Sequence, residues 1–556
     1  MSGKKIKKIS SLFYTGKESW WLIGFSMILG GGILAEPQII TFSILNGGLS
    51  DMWLLWSSVF ASAAGTVFFA HLWRNIPVKT ENEFILFRFS GKAAKALHIF
   101  RSLYLGGLII PYIIAFSILA NSRLISFIFD ISNFQSIVLL TTILLTGTFF
   151  NNLKLKLRID FVLFIVFVIL FIIIITVLYN RIGGLSNLSA KINTGNYNYQ
   201  LFPEPGTRSF NAFLVFIGFQ WWSAIVLDMP DMNGQKLMAS RNAKTLVKSL
   251  LLPSLLMIIF RIFAFTLPFI AIAYGFTNGV LDKELAFIAL FVKGLPEWML
   301  GLILVFFMIP FISTVQNNQN WGGSMLVENF FKHYIKKNAS DDYYKKAGYA
   351  AMFYIIISAS VISIFSDSLL SMVKFLFAIT AGVGPVFTLR WYWWRINAWS
   401  QLSAMISALI YPIVFDLLYN NYQVFTLFIT STENYFNLDY YPVKLIILSI
   451  LVCCTWLIFT FLTKPTDEQK LKTFAETVKP GGYWKNFNNG KIFFKQRSLA
   501  WLLSSINGII VYMMFWYFLC GKYLLFTLFF IIFIALFFIV YKIINKVNSL
   551  HAETDI

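Results

Sequence analysis

The chain has 556 residues, of which 58% are hydrophobic, 18% aromatic and only 13% charged, with a mean hydropathy of +0.71; this excludes a soluble globular protein of that length. A net charge of +20 does not make it a nucleic-acid binder, because the basic residues fall in short clusters between apolar runs. Runs such as 161–179 and 523–540 carry no charge and reach the length, about 20 residues, that a hydrocarbon layer roughly 30 Å thick requires.

In chain order, a basic peptide (1–18) precedes fourteen predicted spans: 19–46, 52–75, 98–126, 134–151, 160–180, 209–229, 248–276, 297–333, 347–366, 369–394, 398–420, 442–463, 498–518 and 522–544. Lys4, Lys5, Lys7 and Lys8 ahead of apolar residues have the outline of a signal peptide, but the apolar character resumes to Leu45, which fits a broken span better. Only six of the 45 basic residues (Arg181, Lys191, Arg208, Lys283, Lys293 and Lys522) fall in one set of alternate connections, so both termini are expected in the cytoplasm. The opposite set holds the basic clusters, among them Lys154, Lys156 and Arg158, and Lys464–Arg497 reads as a cytoplasmic loop.

The first span is the most unusual. Gly30, Gly31 and Gly32, followed by Glu36 and Pro37, invite the backbone to unwind at membrane depth, which is tolerated where it lines a cavity or binds an ion. Close helix packing through small residues is the other reading. Glu36 is a site candidate because an ionisable group inside a span costs roughly 3 kcal/mol unless it faces a cavity or a partner; a place near the outer interface is the alternative.

The eighth span is too long for one crossing and carries Ser313, Thr314, Gln316, Asn317, Asn318, Gln319 and Asn320. These are neutral oxygen ligands suited to an alkali cation, although hydroxyls and amides also bond within and between helices. Catalysis has little to work with: the four histidines avoid span centres, Cys453, Cys454 and Cys520 sit in apolar runs, and no phosphate loop, metal spacing or paired-carboxylate motif occurs. The chain therefore reads as a transporter and not as an enzyme, without an organic cofactor.

Several segments carry a resemblance: SWWLIGFSM (19–27), VKTENEFILFRFSGK (78–92), DKELAFIALFVKGLP (282–296), STVQNNQNWGGSMLVEN (313–329), LRWYWWRINAWSQLSAM (389–405) and TKPTDEQK (463–470). In that order they resemble the sodium:solute symporter family, particularly its branch common in Bacteroidetes. The resemblance implies an all-α membrane protein with the leucine-transporter fold. Two inverted five-helix repeats (19–180 and 209–394) would flank an external loop (181–208). Accessory spans 11 and 12 (395–463), the cytoplasmic loop (464–497), spans 13 and 14 (498–545) and a tail (546–556) would follow.

The resemblance further implies a sodium site built from carbonyls of Leu29, Gly32 and Pro310 and hydroxyls of Ser313 and Thr314, with Asp160 behind them. Gln220, Trp221 and Trp222, with Glu36, would border the solute. The implied function is import of a small organic solute, coupled to a cation and most readily to sodium, in the cell inner membrane. The partners are then the solute, sodium and the lipid bilayer, with no nucleic acid. The competing readings are a membrane sensor or scaffold on the same fold and an intramembrane transferase, for which only Glu36 approaches a catalytic acid.

Overall fold

The computed structural model describes the chain outside residues 1–17, 31–34, 79, 151–152, 196, 224–263 (apart from 252, 256 and 260), 281, 486, 488–492 and 554–556. Among the described residues the chain is helical, and nine helices are long and apolar enough to cross a membrane. The fourteen-span expectation also counted shorter helices. Those at Trp20–Leu29, Asn133–Thr148, Ala264–Ala273 and Leu369–Ala378 are apolar but have no more than 17 residues.

The elements that position the site are α1 (Trp20–Leu29), α2 (Ala35–Asn46), α3 (Leu49–Trp73), α4 (Gly91–Phe129), α5 (Asn133–Thr148) and α6 (Leu153–Ile182). Then follow α7 (Arg208–Gly218), α8 (Glu297–Ile335), α9 (Asp341–Ile364), α10 (Leu369–Ala378) and α11 (Gly384–Tyr392). The last four are α12 (Ala398–Asn421), α13 (Tyr440–Leu462), α14 (Phe494–Leu519) and α15 (Tyr523–Val547).

Helix α6 shows how a nearly all-apolar sequence still chooses a face. Phe164, Phe167, Phe171, Ile174 and Leu178, spaced three or four apart, are buried, whereas Val162, Ile165, Ile169 and Ile172 are exposed to what would be lipid. The buried stripe meets α1 on one side and α8 on the other, with Phe167 stacked on Phe306 at 5.0 Å. Helix α8 runs 39 residues; at 1.5 Å per residue it extends about 58 Å, beyond a layer roughly 30 Å thick. Helix α15 buries none of its central apolar stretch and packs along α14.

Three connections depart from the sequence reading. The predicted span 369–394 is two helices, α10 and α11, because Gly382 takes φ +74 and lies so close to α13 that a Cβ would stand 2.7 Å from the Ser449 carbonyl. The connections after α6 and after α12 each hold a helix, Gly184–Thr194 and Gln423–Phe436.

The segment 464–497, expected as a loop, contains a helix at Glu468–Val478 capped by Asp467, and it docks on the end of α11. There Tyr483 donates its N–H to Tyr392 and accepts from Trp394 at 2.7 and 2.9 Å. The wholly buried Arg88 guanidinium lies against Phe89, Phe474 and Trp484, with Nε on the Arg390 carbonyl at 2.9 Å. Aromatic faces and a buried guanidinium make this segment part of the fold, a property its polar composition conceals.

Candidate functional site

Helix α1 ends at Leu29 with Gly30 as its C-cap, and α2 is described from Ala35. Gly31 and Gly32, the latter an expected sodium ligand, lie outside the described residues. Gly30 is needed for a specific reason: a Cβ there would stand 1.8 Å from Asn317 Nδ2 of α8. Alanine at this position would force the Asn317 amide to move.

Just below this contact, Asp160 of α6 is buried at 1% exposure and joins three helices. Ser313 Oγ of α8 donates to its Oδ1 at 2.9 Å, and Ser26 Oγ of α1 donates to its Oδ2. One turn earlier on α6, Lys156, also 1% exposed, donates to both carboxylate oxygens at 2.7 and 2.9 Å and to Ser313 Oγ at 3.2 Å. A buried ion pair persists where further hydrogen bonds satisfy the remaining donors and acceptors, and two serines from neighbouring helices do so here.

The sequence placed Asp160 behind the hydroxyls; the structure makes it the direct partner of Ser313. It also corrects Lys156, which the sequence reading put in a loop cluster with Lys154 and Arg158. Those two are exposed, whereas Lys156 lies on the buried stripe of α6 with Leu153, Leu157 and Asp160. The signal was available: in LKLKLRID, Lys156 and Asp160 are four apart and share a face with Leu153 and Leu157.

Ser313 and Thr314 point to different helices, as neighbours about 100° apart on a helix must. Ser313 faces α6, and Thr314 Oγ1 donates to the Leu29 carbonyl of α1 across a long 3.4 Å contact. Pro310, buried inside α8, lacks the N–H that would bond one turn back and sits one turn before both hydroxyls.

The rest of the polar string divides by role. Asn318 bonds within α8, donating to the Thr314 carbonyl at 2.9 Å, whereas Gln319 ties α8 to Thr148 of α5 and the Met352 carbonyl of α9. Asn317, one turn after Ser313 and only 3% exposed, is different: among the described residues neither amide atom has a partner. An unsatisfied buried amide costs about 1–3 kcal/mol, and this one lies beside Gly30 of α1. The sequence reading had named Asn317 only as one member of the string.

Glu36 is half-buried on the first turn of α2, where the positive end of the helix favours an acid. Gln220, Trp221 and Trp222 form a short 3-10 turn after α7. Gln220 is buried, accepts from Tyr441 Oη at 3.4 Å, and has no partner for Nε2 among the described residues. Trp221 packs against Trp501 of α14 at 5.4 Å and Phe60 of α3 at 6.5 Å, with Trp222 perpendicular to it. The structure thus brings Leu29, Asp160, Ser313 and Thr314 together and places the tryptophans in a separate aromatic contact with α3 and α14.

Comparison with known proteins follows the same line. The profile of the sodium:solute symporter family matches residues 40–408. An osmoregulated proline transporter of Bacillus subtilis (strain 168) is 28% identical over 140 residues, 25% of this chain and 28% of its own length, so the match spans under a third of that relative. Among solved structures, a Na+-coupled sialic acid symporter in a substrate-bound outward-open state superposes with a TM-score of 0.61 at 15% identity, covering 82% of this chain and 93% of its own. The fold is the all-helical, leucine-transporter-like one expected from the sequence motifs.

Proposed function

Because the chain belongs to the sodium:solute symporter family, a family of transporters and not of enzymes, we propose that it imports a small organic solute by alternating access, driven by sodium bound where α1, α6 and α8 meet. The observation that carries the reading is the buried Asp160 carboxylate shared by Ser26, Lys156 and Ser313, a junction of three helices at the end of α1. The ion takes the carbonyls of Leu29, Gly32 and Pro310 and the hydroxyls of Ser313 and Thr314, with Asp160 supplying negative charge behind Ser313. Glu36, Gln220, Trp221 and Trp222 border the solute, and Asn317 offers it an amide that has no partner among the described residues. One charge moving down a potential of 100 mV contributes about 2.3 kcal/mol, enough for useful accumulation.

The reading is tested on the ion. Each lost oxygen ligand costs roughly 1.4 kcal/mol or more, so Ser313→Ala and Thr314→Ala should each raise the sodium concentration for half-maximal effect at least about tenfold. Purified protein, followed by its thermal midpoint across a sodium series, reports this without knowledge of the solute. An unchanged sodium dependence in the double alanine variant would remove the site. The same assay run against a panel of solutes identifies those whose binding tightens with sodium, as linkage requires.

The reading includes an inner-membrane location with both termini and the segment 464–497 in the cytoplasm. Lys472, exposed on the helix Glu468–Val478, is the position to probe. In a cysteine-free background, Lys472→Cys should react with an impermeant maleimide only after the cells are opened. Labelling of intact cells would reverse the assigned orientation.

A further inference from the structure

We propose that Lys156 is a tethered stand-in for the coupling ion: its ammonium group and a sodium ion alternate on the Ser313 oxygen and the Asp160 carboxylate. The inference rests on the sodium site proposed above and adds a residue to which nothing in that reading assigns a role.

An ammonium group has three protons, and those of Lys156 have three acceptors: both Asp160 oxygens and Ser313 Oγ. Ser313 in turn spends its own proton on Asp160 Oδ1. The hydroxyl that a sodium ion would draw on is therefore already accepting from a cation.

The groups facing the junction are Ser26 and the Leu29 carbonyl from α1, Lys156 and Asp160 from α6, and Ser313 and Thr314 from α8. Among them there is one positive and one negative charge. The ion-free junction is thus neutral with Lys156 in place. A sodium ion arriving beside an undisplaced Lys156 would leave a net positive charge in a site of low dielectric, and one carboxylate compensates only one cation.

Two consequences follow. Sodium enters by drawing Ser313 and Asp160 away from the ammonium, so its affinity is set by a competition and not by its ligands alone. When sodium leaves, the ammonium returns, so the carboxylate is never left buried without a counter-charge while the empty carrier reorients. A permanently tethered cation makes release of the ion on the low-sodium side easier, at the expense of needing a higher concentration for loading.

The alternative is a purely structural pair, in which Lys156 stays on Asp160 while sodium binds beside it on Thr314 and Leu29. The full-length protein distinguishes these. Wild type, Lys156→Met and Lys156→Gln are titrated with sodium against choline at constant ionic strength, and the thermal midpoint is read. Competition predicts that the half-saturating sodium concentration falls at least about tenfold in Lys156→Met, and that adding Asp160→Asn to that variant removes the gain. Lys156→Gln keeps a donor for Asp160 without the charge and gives the same answer where the methionine variant folds poorly. In Lys156→Ala, methylammonium should compete with added sodium, whereas in wild type it should not. A half-saturation equal to or higher than wild type in both Lys156→Met and Lys156→Gln overturns the competition and leaves the sodium site standing. No sodium response in any of the proteins overturns the sodium site and the competition with it.

Discussion

Asp160→Ala is expected to lower stability by roughly 3–5 kcal/mol, the usual loss when one member of a buried ion pair is removed and the other stays behind. The partner left behind is Lys156, 1% exposed, with the Ser313 hydroxyl as its remaining acceptor. Ser26 and Ser313 lose the oxygens to which they donate, so α1 and α8 lose the one carboxylate they share on α6. Thermal denaturation of purified protein measures the loss. The double variant Lys156→Met, Asp160→Asn should recover most of the stability, because neither charge is then buried alone, and in the cycle with Lys156→Met and Asp160→Asn the two losses should be clearly non-additive. The gain in sodium affinity expected of Lys156→Met should be absent from the double variant. A single variant as stable as wild type would show that the two charges are not partners.

Glu284→Ala is expected to cost roughly 3 kcal/mol by a different route, since Glu284 fastens the start of α10 to α4. Its carboxylate receives the Arg123 guanidinium of α4, Ser368 Oγ at 2.8 Å and the N–H groups of Leu369 and Leu370 at 3.0 and 3.4 Å. Those amides belong to the first turn of a helix, which has no intrahelical acceptors for them and attracts negative charge. Arg123 keeps Asp282 as a second partner at 3.4 Å, so most of the loss falls on the α10 terminus. Glu284→Gln, which still accepts hydrogen bonds, should lose only about 1 kcal/mol. Thermal midpoints of the two variants give the comparison; equal losses would mean that charge, and not acceptor geometry, is what Glu284 contributes.

The segment DKELAFIALFVKGLP that contains Glu284 contributed to the family resemblance, yet nothing in its composition says what the acid holds. The same contrast runs through the candidate site. Ser313, Thr314, Leu29 and Asp160 were found from motif correspondence, and the structure gathers them at one junction. Lys156 was passed over because a lysine in a basic stretch ordinarily marks a loop at the membrane surface. The Lys464–Arg497 segment was read as a loop because its polarity shows no sign of the contacts that Phe474 and Trp484 make with Arg88 and Tyr483 makes at the end of α11.

What the sequence determined by itself was everything that depends on near neighbours. The apolar runs required a membrane and helices, since each run must satisfy its own backbone hydrogen bonds in lipid. Gly30 marked the end of α1, and the order of short motifs marked the family. What only the tertiary structure decided was partnership between distant positions. Asp160 meets Ser26 across 134 residues and Ser313 across 153, Gly30 leaves room for Asn317, and Gly382 separates α10 from α11 because α13 passes against it. A side chain's charge and size are local properties, but the energy of burying that charge depends on which groups the other helices bring within hydrogen-bond reach, and sequence spacing does not encode that distance.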